Sequence, residues 1–333
     1  MKLQKRDETV VITGASAGVG RALVREYARR QAQIALLARD PGRLEAAKSE
    51  VEAWGGKAIG LSCDVADAKQ VEEAAATVER ELGPIDIWHN NAMTTVFAPI
   101  TETKPDEFKR ATEVTYLGCV YGTMAALRRM LPRNRGVIVQ TGSALAYRSI
   151  PLQAAYCAAK HAIVGFTDSL RCELIHHKSK VRVTVVHLPA LNTPQFSWCR
   201  TRLPRHPQPV PPIFEPEVAA RALYWAAHHE RREVFVGGST LQAIYAQKFV
   251  PALADWYLGR YGYEAQQTSD PVDPHRPDNL FEPVTGSYEA HGVFGQKAKD
   301  FSLQTWVDLR RLPVALAVAG SAVLGVWVFR RSR

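Results

Sequence analysis

Cysteine is sparse and unpaired in this 333-residue chain: Cys63, Cys119, Cys157, Cys172 and Cys199 form no C-x-x-C pair and have no histidine at metal-ligand spacing. That excludes a disulfide framework, predicts no metal, and fits a reducing compartment. The G-x-x-x-x-G-K-[ST] loop is also missing, which excludes the nucleoside triphosphatases that use it. No apolar signal core precedes the first strand-like run, because MKLQKRDE is charged and TVVIT follows at once. Lys+Arg 42 against Asp+Glu 33 leaves a net charge of +9, yet the basic residues are scattered apart from arginines near the C-terminus. Without a clustered basic face, nucleic acid is not expected as a partner. What remains, 46% hydrophobic and 23% charged, suits an ordinary buried core.

Up to about residue 190, short β-branched runs alternate with Ala-, Leu- and Glu-rich stretches. Strands are predicted at 9–13, 33–38, 58–64, 85–90, 136–142 and 181–187, and helices at 41–54, 67–83 and 152–177. The strands lack polar alternation, as expected when both faces are covered. This rhythm predicts an α/β fold with a doubly wound parallel sheet. Beyond 190 the pattern changes. Residues 203–216 hold six prolines and can form neither a helix interior nor a central strand. An amphipathic helix over 215–229, a short edge strand REVFVGG, and helical spacing over 239–261 broken at Pro251 follow. Residues 260–300 read as a long loop or wrapping tail.

The run VVITGASAGVG sets Gly14, Gly18 and Gly20 between the first strand and a helix starting near Val19. Glycines there let the backbone approach a pyrophosphate, while the helix N-terminus supplies free N–H groups. The second strand ends at Ala38, where an NAD site usually has an acidic residue, and Arg39 follows. A guanidinium matches a ribose 2′-phosphate, Ser16 adds a hydroxyl, and NADP is expected over NAD.

Tyr156 and Lys160 stand four residues apart on a predicted helix and so share a face, while Ser143 ends the strand thirteen residues before Tyr156. A free phenol titrates near about 10. A lysine ammonium beside it, with an oxidised nicotinamide, stabilises the phenolate and lowers that value. Ser143 would then hydrogen-bond the substrate oxygen.

With these residues in view, the sequence resembles the classical short-chain dehydrogenase/reductase family over roughly residues 7–240. The likeness rests on TGASAGVG (13–20), Asp64–Val65, NNA (90–92), Ser143, Tyr156-x-x-x-Lys160, and Pro189 with Thr193. It implies a three-layer Rossmann fold and NAD(P)(H)-dependent transfer of hydride between carbonyl and alcohol. Tyr156 would exchange the proton, Lys160 would lower its pKa and hold the nicotinamide ribose, and Ser143 would polarise the substrate. Asp64 and Val65 would border the adenine, with Asn91 and Ala92 lining the cofactor floor. Three positions depart from the family pattern. Met93 replaces a glycine after NNA, Thr115 replaces an asparagine that supports a proton path, and Ala190 follows Pro189 in place of glycine.

Leu145–Gln153 and roughly 191–216 are expected to cover the substrate; their apolar and aromatic residues favour a lipophilic small molecule. Residues 312–329 run without a charge between Arg310–Arg311 and Arg330–Arg331. As a helix they would rise about 27 Å, close to the ~30 Å hydrocarbon core. The expected organisation is a catalytic domain over 1–258, an irregular extension over 259–309, and a membrane-anchor helix over 310–333. That makes the lipid bilayer a partner through a single C-terminal pass, with the catalytic domain cytoplasmic. A homodimer is expected by family analogy alone. The alternative is a dinucleotide-binding scaffold or sensor with little turnover, recruited by its C-terminal helix; Met93 and Thr115 are its support.

Overall fold

The structure, a computed structural model, describes residues 8–273 and 275–311. The chain opens with β1 (Thr9–Thr13), α1 (Gly18–Ala28), β2 (Gln33–Ala38), α2 (Pro41–Ala53) and β3 (Lys57–Ser62). It continues through α3 (Ala68–Leu82), β4 (Ile87–Asn90), the two-residue β5 (Val96–Phe97) and α4 (Pro105–Thr112). A π-helical turn, Glu113–Leu117, leads into α5 (Gly118–Arg133). Next come β6 (Val137–Ser143), α6 (Ala154–His176) and β7 (Arg182–Leu188).

Seven strands pair in parallel in the order β11-β7-β6-β4-β1-β2-β3, where β11 is Glu233–Phe235. Helices α1 and α2, with the helix Pro216–His228, cover one face through Leu23, Tyr27, Leu44, Val51 and Leu223. Helices α3, α5 and α6 cover the other through Val71, Val78, Met130, Leu170 and Leu174. Both faces are therefore apolar, which is why the strands lack alternation. The winding reverses between β1 and β4, so their carboxyl ends open a crevice. A buried polar ladder braces that region: Trp88 Nε1 donates to Asn90 Oδ1 at 2.8 Å, and Asn90 Nδ2 donates to Gln140 Oε1 at 2.9 Å.

The proline-rich stretch carries only short elements: α7 (Gln195–Trp198), β8 (Arg200–Thr201), β9 (Arg205–Pro207) and β10 (Ile213–Phe214). The helix Pro216–His228 is α8, and β11 follows it. Then come α9 (Gly238–Phe249), α10 (Pro251–Ala265), β12 (Gln267–Pro271), β13 (Ala298–Lys299) and α11 (Leu303–Asp308). Pro251 starts α10 as its first residue, where its missing N–H costs nothing, so the expected interruption becomes a helix start.

Two expectations need correction. The boundary placed near residue 258 falls inside α10, whose helical pattern continues to Ala265. The stretch read as irregular also contains β12, paired with β9, and β13, paired with β10. Between them the chain is tied down by backbone contacts: Arg276 donates to the carbonyls of Phe196, Ser197 and Cys199. The proposed anchor segment 312–329 lies outside the described residues. Among the described residues no helix is long and apolar enough to cross a membrane.

Candidate active site

A cavity of about 450 Å³ opens at the carboxyl ends of β1, β4 and β6. Gly14, Ser16, Gly18, Val19, Arg39, Asp64, Val65, Asn91 and Ala92 line it. So do Ser143, Tyr156, Lys160, Pro189 and Thr193. Two expected residues do not. Gly20 lies beneath the glycine loop, and Thr115 lies in the π-turn behind the wall.

Each part of the wall has a local cause. Gly14 adopts φ +67, a backbone conformation that side chains disfavour. A Cβ on Gly20 would come within 2.0 Å of the Gly14 carbonyl oxygen, so α1 can start this close to β1 only with glycine there. Thr13, which the sequence reading included in its motif without a role, ties the loops together. Its hydroxyl accepts from the N–H groups of Asn91 at 2.9 Å and Ala92 at 3.0 Å. Asn91 Nδ2 in turn donates to the Thr13 carbonyl at 3.0 Å. Thr115 Oγ1 donates to the Thr94 carbonyl at 2.9 Å and accepts from the Thr94 N–H at 3.1 Å. It thus clamps the segment after β4 and offers no free hydroxyl to the cavity.

Ser143, Tyr156 and Lys160 meet where β6 ends beside α6. The Leu145 N–H donates to Ser143 Oγ at 3.1 Å, and Ser143 and Tyr156 line the same part of the cavity. Ser143 and Lys160 are buried, and Tyr156 is partly buried. Burial pushes the Tyr156 phenol above the usual tyrosine value, and the nearby Ser143 hydroxyl only partly opposes it. The expected lowering by Lys160 is therefore not present in this geometry. The lysine ammonium donates to the Thr141 carbonyl at 2.6 Å and lies 5.4 Å from the centroid of the Tyr156 ring. Burial lowers the Lys160 pKa to about 8. Thr141 Oγ1 is buried and has no hydrogen-bond partner among the described residues.

Arg39 is held by a part of the chain that its position in the sequence does not suggest. Its guanidinium donates to the carbonyls of Phe281 and Asn279, both at 2.5 Å. Arg110 Nε donates to the Leu280 carbonyl between them, and its other end pairs with Asp64 at 2.5 Å. Farther along, the Glu289 carbonyl accepts the Gly18 N–H at 2.9 Å. Asn192 Oδ1 accepts the Phe294 N–H at 2.9 Å. Residues 279–294 therefore form a strap across the mouth of the glycine loop. Sequence reasoning missed it because its bonds run through backbone carbonyls, which any residue supplies. Asp40 Oδ1 caps α2 by accepting the Arg43 N–H, so it serves the helix. Helix α10 closes the substrate side with Tyr257, Leu258 and Tyr261, which the sequence reading also did not assign to the site.

A family sequence profile described as short chain dehydrogenase matches residues 8–201. The chain is 29% identical over 323 residues to an uncharacterized oxidoreductase of Bacillus subtilis (strain 168), YxnA, spanning 96% of this chain and 90% of that protein. It is 30% identical to 17-beta-hydroxysteroid dehydrogenase 13 of Homo sapiens over 76% of this chain and 82% of that one. Its fold is similar to that of a metagenomic short-chain oxidoreductase solved in complex with NADP. That likeness has a TM-score of 0.58 at 27% identity and covers 69% of this chain and 96% of the other.

Proposed function

The chain belongs to the short-chain dehydrogenase family of oxidoreductases acting on alcohol and carbonyl groups, and from that premise we propose an NADP(H)-dependent enzyme whose proton carrier is Tyr156. The observation that carries the reading is one cavity lined by both the glycine loop and Ser143, Tyr156 and Lys160.

The residues fit a dinucleotide. Gly14 and Gly18 line the cavity beside the start of α1, where a pyrophosphate would take the Gly18 N–H in place of the Glu289 carbonyl. Arg39 has five N–H donors, of which the strap takes only part, so a 2′-phosphate can share the same guanidinium. The unpartnered Thr141 hydroxyl and the Lys160 ammonium would face the nicotinamide half. Asp64 and Val65 would lie along the adenine, Asn91 and Ala92 beneath the cofactor, and Pro189 and Thr193 beside the nicotinamide. When bound, the nicotinamide supplies or takes the hydride at the substrate carbon.

The chain's own residues handle the proton. In the reducing direction Tyr156 gives its hydroxyl proton to the carbonyl oxygen, leaving an alcohol and a phenolate. Ser143 donates a hydrogen bond to the same oxygen, oriented by the Leu145 N–H that occupies its acceptor side. Lys160 supplies the positive charge that makes the phenolate affordable inside an apolar pocket. Thr115 acts by positioning the wall through Thr94. The substrate proposed is a lipophilic carbonyl or alcohol, because α10 and Phe196 and Trp198 of α7 make the outer cavity aromatic. Within the proposed domain order, the catalytic unit extends from the N-terminus through α10, with the extension strapped onto it. The uncharged run 312–329 is proposed as its attachment to a bilayer.

The test is reduction of a panel of lipophilic ketones with NADPH by the full chain and by Tyr156→Phe. Loss of roughly 10²–10⁴ in kcat with little change in NADPH affinity is expected for a lost general acid. Unchanged turnover in the variant would remove Tyr156 from the chemistry. Tight NADPH binding without turnover in the parent chain would favour the scaffold or sensor.

A further inference from the structure

Helices α9 and α10 carry an apolar surface that no described residue covers. Tyr245, Phe249, Leu253, Trp256, Tyr257 and Tyr261 are each between 49 and 70% exposed. Isolated exposed hydrophobic residues need no explanation, but these lie on successive helical turns. The rings of Tyr245 and Phe249 are 6.1 Å apart, and those of Tyr257 and Tyr261 are 5.1 Å apart. A solvated helix would turn charges outward here.

The charges on these helices are sorted. Asp255 is drawn to Arg148 at 2.6 Å, and Glu264 pairs with Arg205. Lys248 instead lies 5.9 Å from the Phe249 ring centroid, and neither it nor Arg260 forms an ion pair among the described residues. The surface thus combines amphipathic rings, two available cations and acids already neutralised.

Its location adds two more observations. Tyr257 and Tyr261 are exposed on one side and line the active-site cavity on the other, so the surface borders the cavity mouth. Helix α11 is fastened at the root of α9, where Thr305 Oγ1 accepts the Gly237 N–H at 2.9 Å. From there the described chain ends at residue 311 and the uncharged run 312–329 begins.

We propose that the exposed face of α9 and α10 docks on an anionic lipid surface. Tryptophan and tyrosine sit well at headgroup depth, and Lys248 and Arg260 find anionic partners there. A second copy of the chain would bring the same two cations to the interface without supplying their counterions. Docked this way, the cavity mouth faces the bilayer and a lipophilic substrate enters without crossing water. The lipid contact does not require turnover, so failure of the Tyr156 chemistry would leave it standing.

The experiment uses the full chain with Cys172→Ser, which removes the exposed native thiol, and Ala252→Cys carrying an environment-sensitive fluorophore. Phosphatidylcholine vesicles containing phosphatidylserine are added. A blue shift with a roughly twofold rise in emission is expected at position 252. The same label at Trp54→Cys, after α2 at the opposite end of the strands, should not respond. Phe249→Ser with Trp256→Ser should weaken vesicle binding about tenfold. The proposal is overturned if the protein sediments with vesicles while position 252 stays silent, since the C-terminal run alone would then hold it. It is also overturned if no vesicle binding occurs, or if the label responds to protein concentration without lipid.

Discussion

At Lys160 the protein buries a cation at the wall of the cavity, and burial lowers its pKa from 10.5 to about 8. Between those two values the unfolded chain binds a proton that the folded chain has released. The contribution of this residue to stability therefore rises with pH across that window. In the proposed mechanism turnover moves the opposite way, because a Tyr156 phenolate would need the charged lysine. We expect kcat to fall as pH rises through about 8 while the urea midpoint does not fall with it, measured as paired pH profiles. A flat kcat profile through that range would disconnect Lys160 from the chemistry. The spacing of Tyr156 and Lys160 was legible because four residues of helix dictate a shared face. That the ammonium would choose the Thr141 carbonyl was not, since Thr141 comes from a strand that only tertiary packing brings alongside.

The strap over 279–294 is an element held by few contacts of its own. Asn192 pins its C-terminal end: its Oδ1 accepts the Phe294 N–H and its carbonyl accepts the Gly292 N–H at 3.2 Å, while its Nδ2 donates to Glu215 at 3.0 Å and orients the amide. In Asn192→Ala two side-chain hydrogen bonds are lost, at about 0.5–1.5 kcal/mol each. Hydrogen exchange over 279–294 should quicken by about tenfold, and NADPH, the proposed coenzyme, should bind more weakly. Unchanged exchange would mean that Arg39, Arg110 and Arg276 hold the strap without help. The strap has almost no regular secondary structure, so a reading by periodicity leaves it a loop. The six longer sheet strands, by contrast, were readable to within two residues at either end, because continuous apolar runs between glycine and proline leave few other folds open.

Over the whole molecule, acid should loosen the fold from two places on the same face of the sheet. His89 is fully buried on β4 with its Nε2 at 2.8 Å from the Tyr27 hydroxyl, and burial, aided by nearby His228, depresses its pKa to about 3. The folded chain refuses the proton that an unfolded histidine takes near about 6.5, so stability declines as pH falls from there toward about 3. Glu50 adds to the decline at lower pH. Burial opposes its charge, yet hydrogen bonds from Arg25 and Arg21 outweigh that and hold its carboxyl at about 2. Its stabilisation is full above its unfolded value of 4.5 and disappears as pH falls through about 2. The urea midpoint should therefore drop progressively below neutrality, and His89→Gln should flatten the upper part of that drop. An equally steep decline in the variant would assign the acid sensitivity elsewhere.

The amino-acid order alone determined the parallel α/β architecture, the glycine loop, and the Ser143, Tyr156 and Lys160 set, because these depend on local spacing and on residue types with few substitutes. Tertiary structure alone decided that Arg39 would be shared with a strap some 240 residues away, that Thr115 would brace Thr94, and that α10 would wall the cavity while presenting aromatic rings outward. Those outcomes turn on backbone carbonyls and on which surfaces meet, and neither leaves a mark in a linear pattern of side chains.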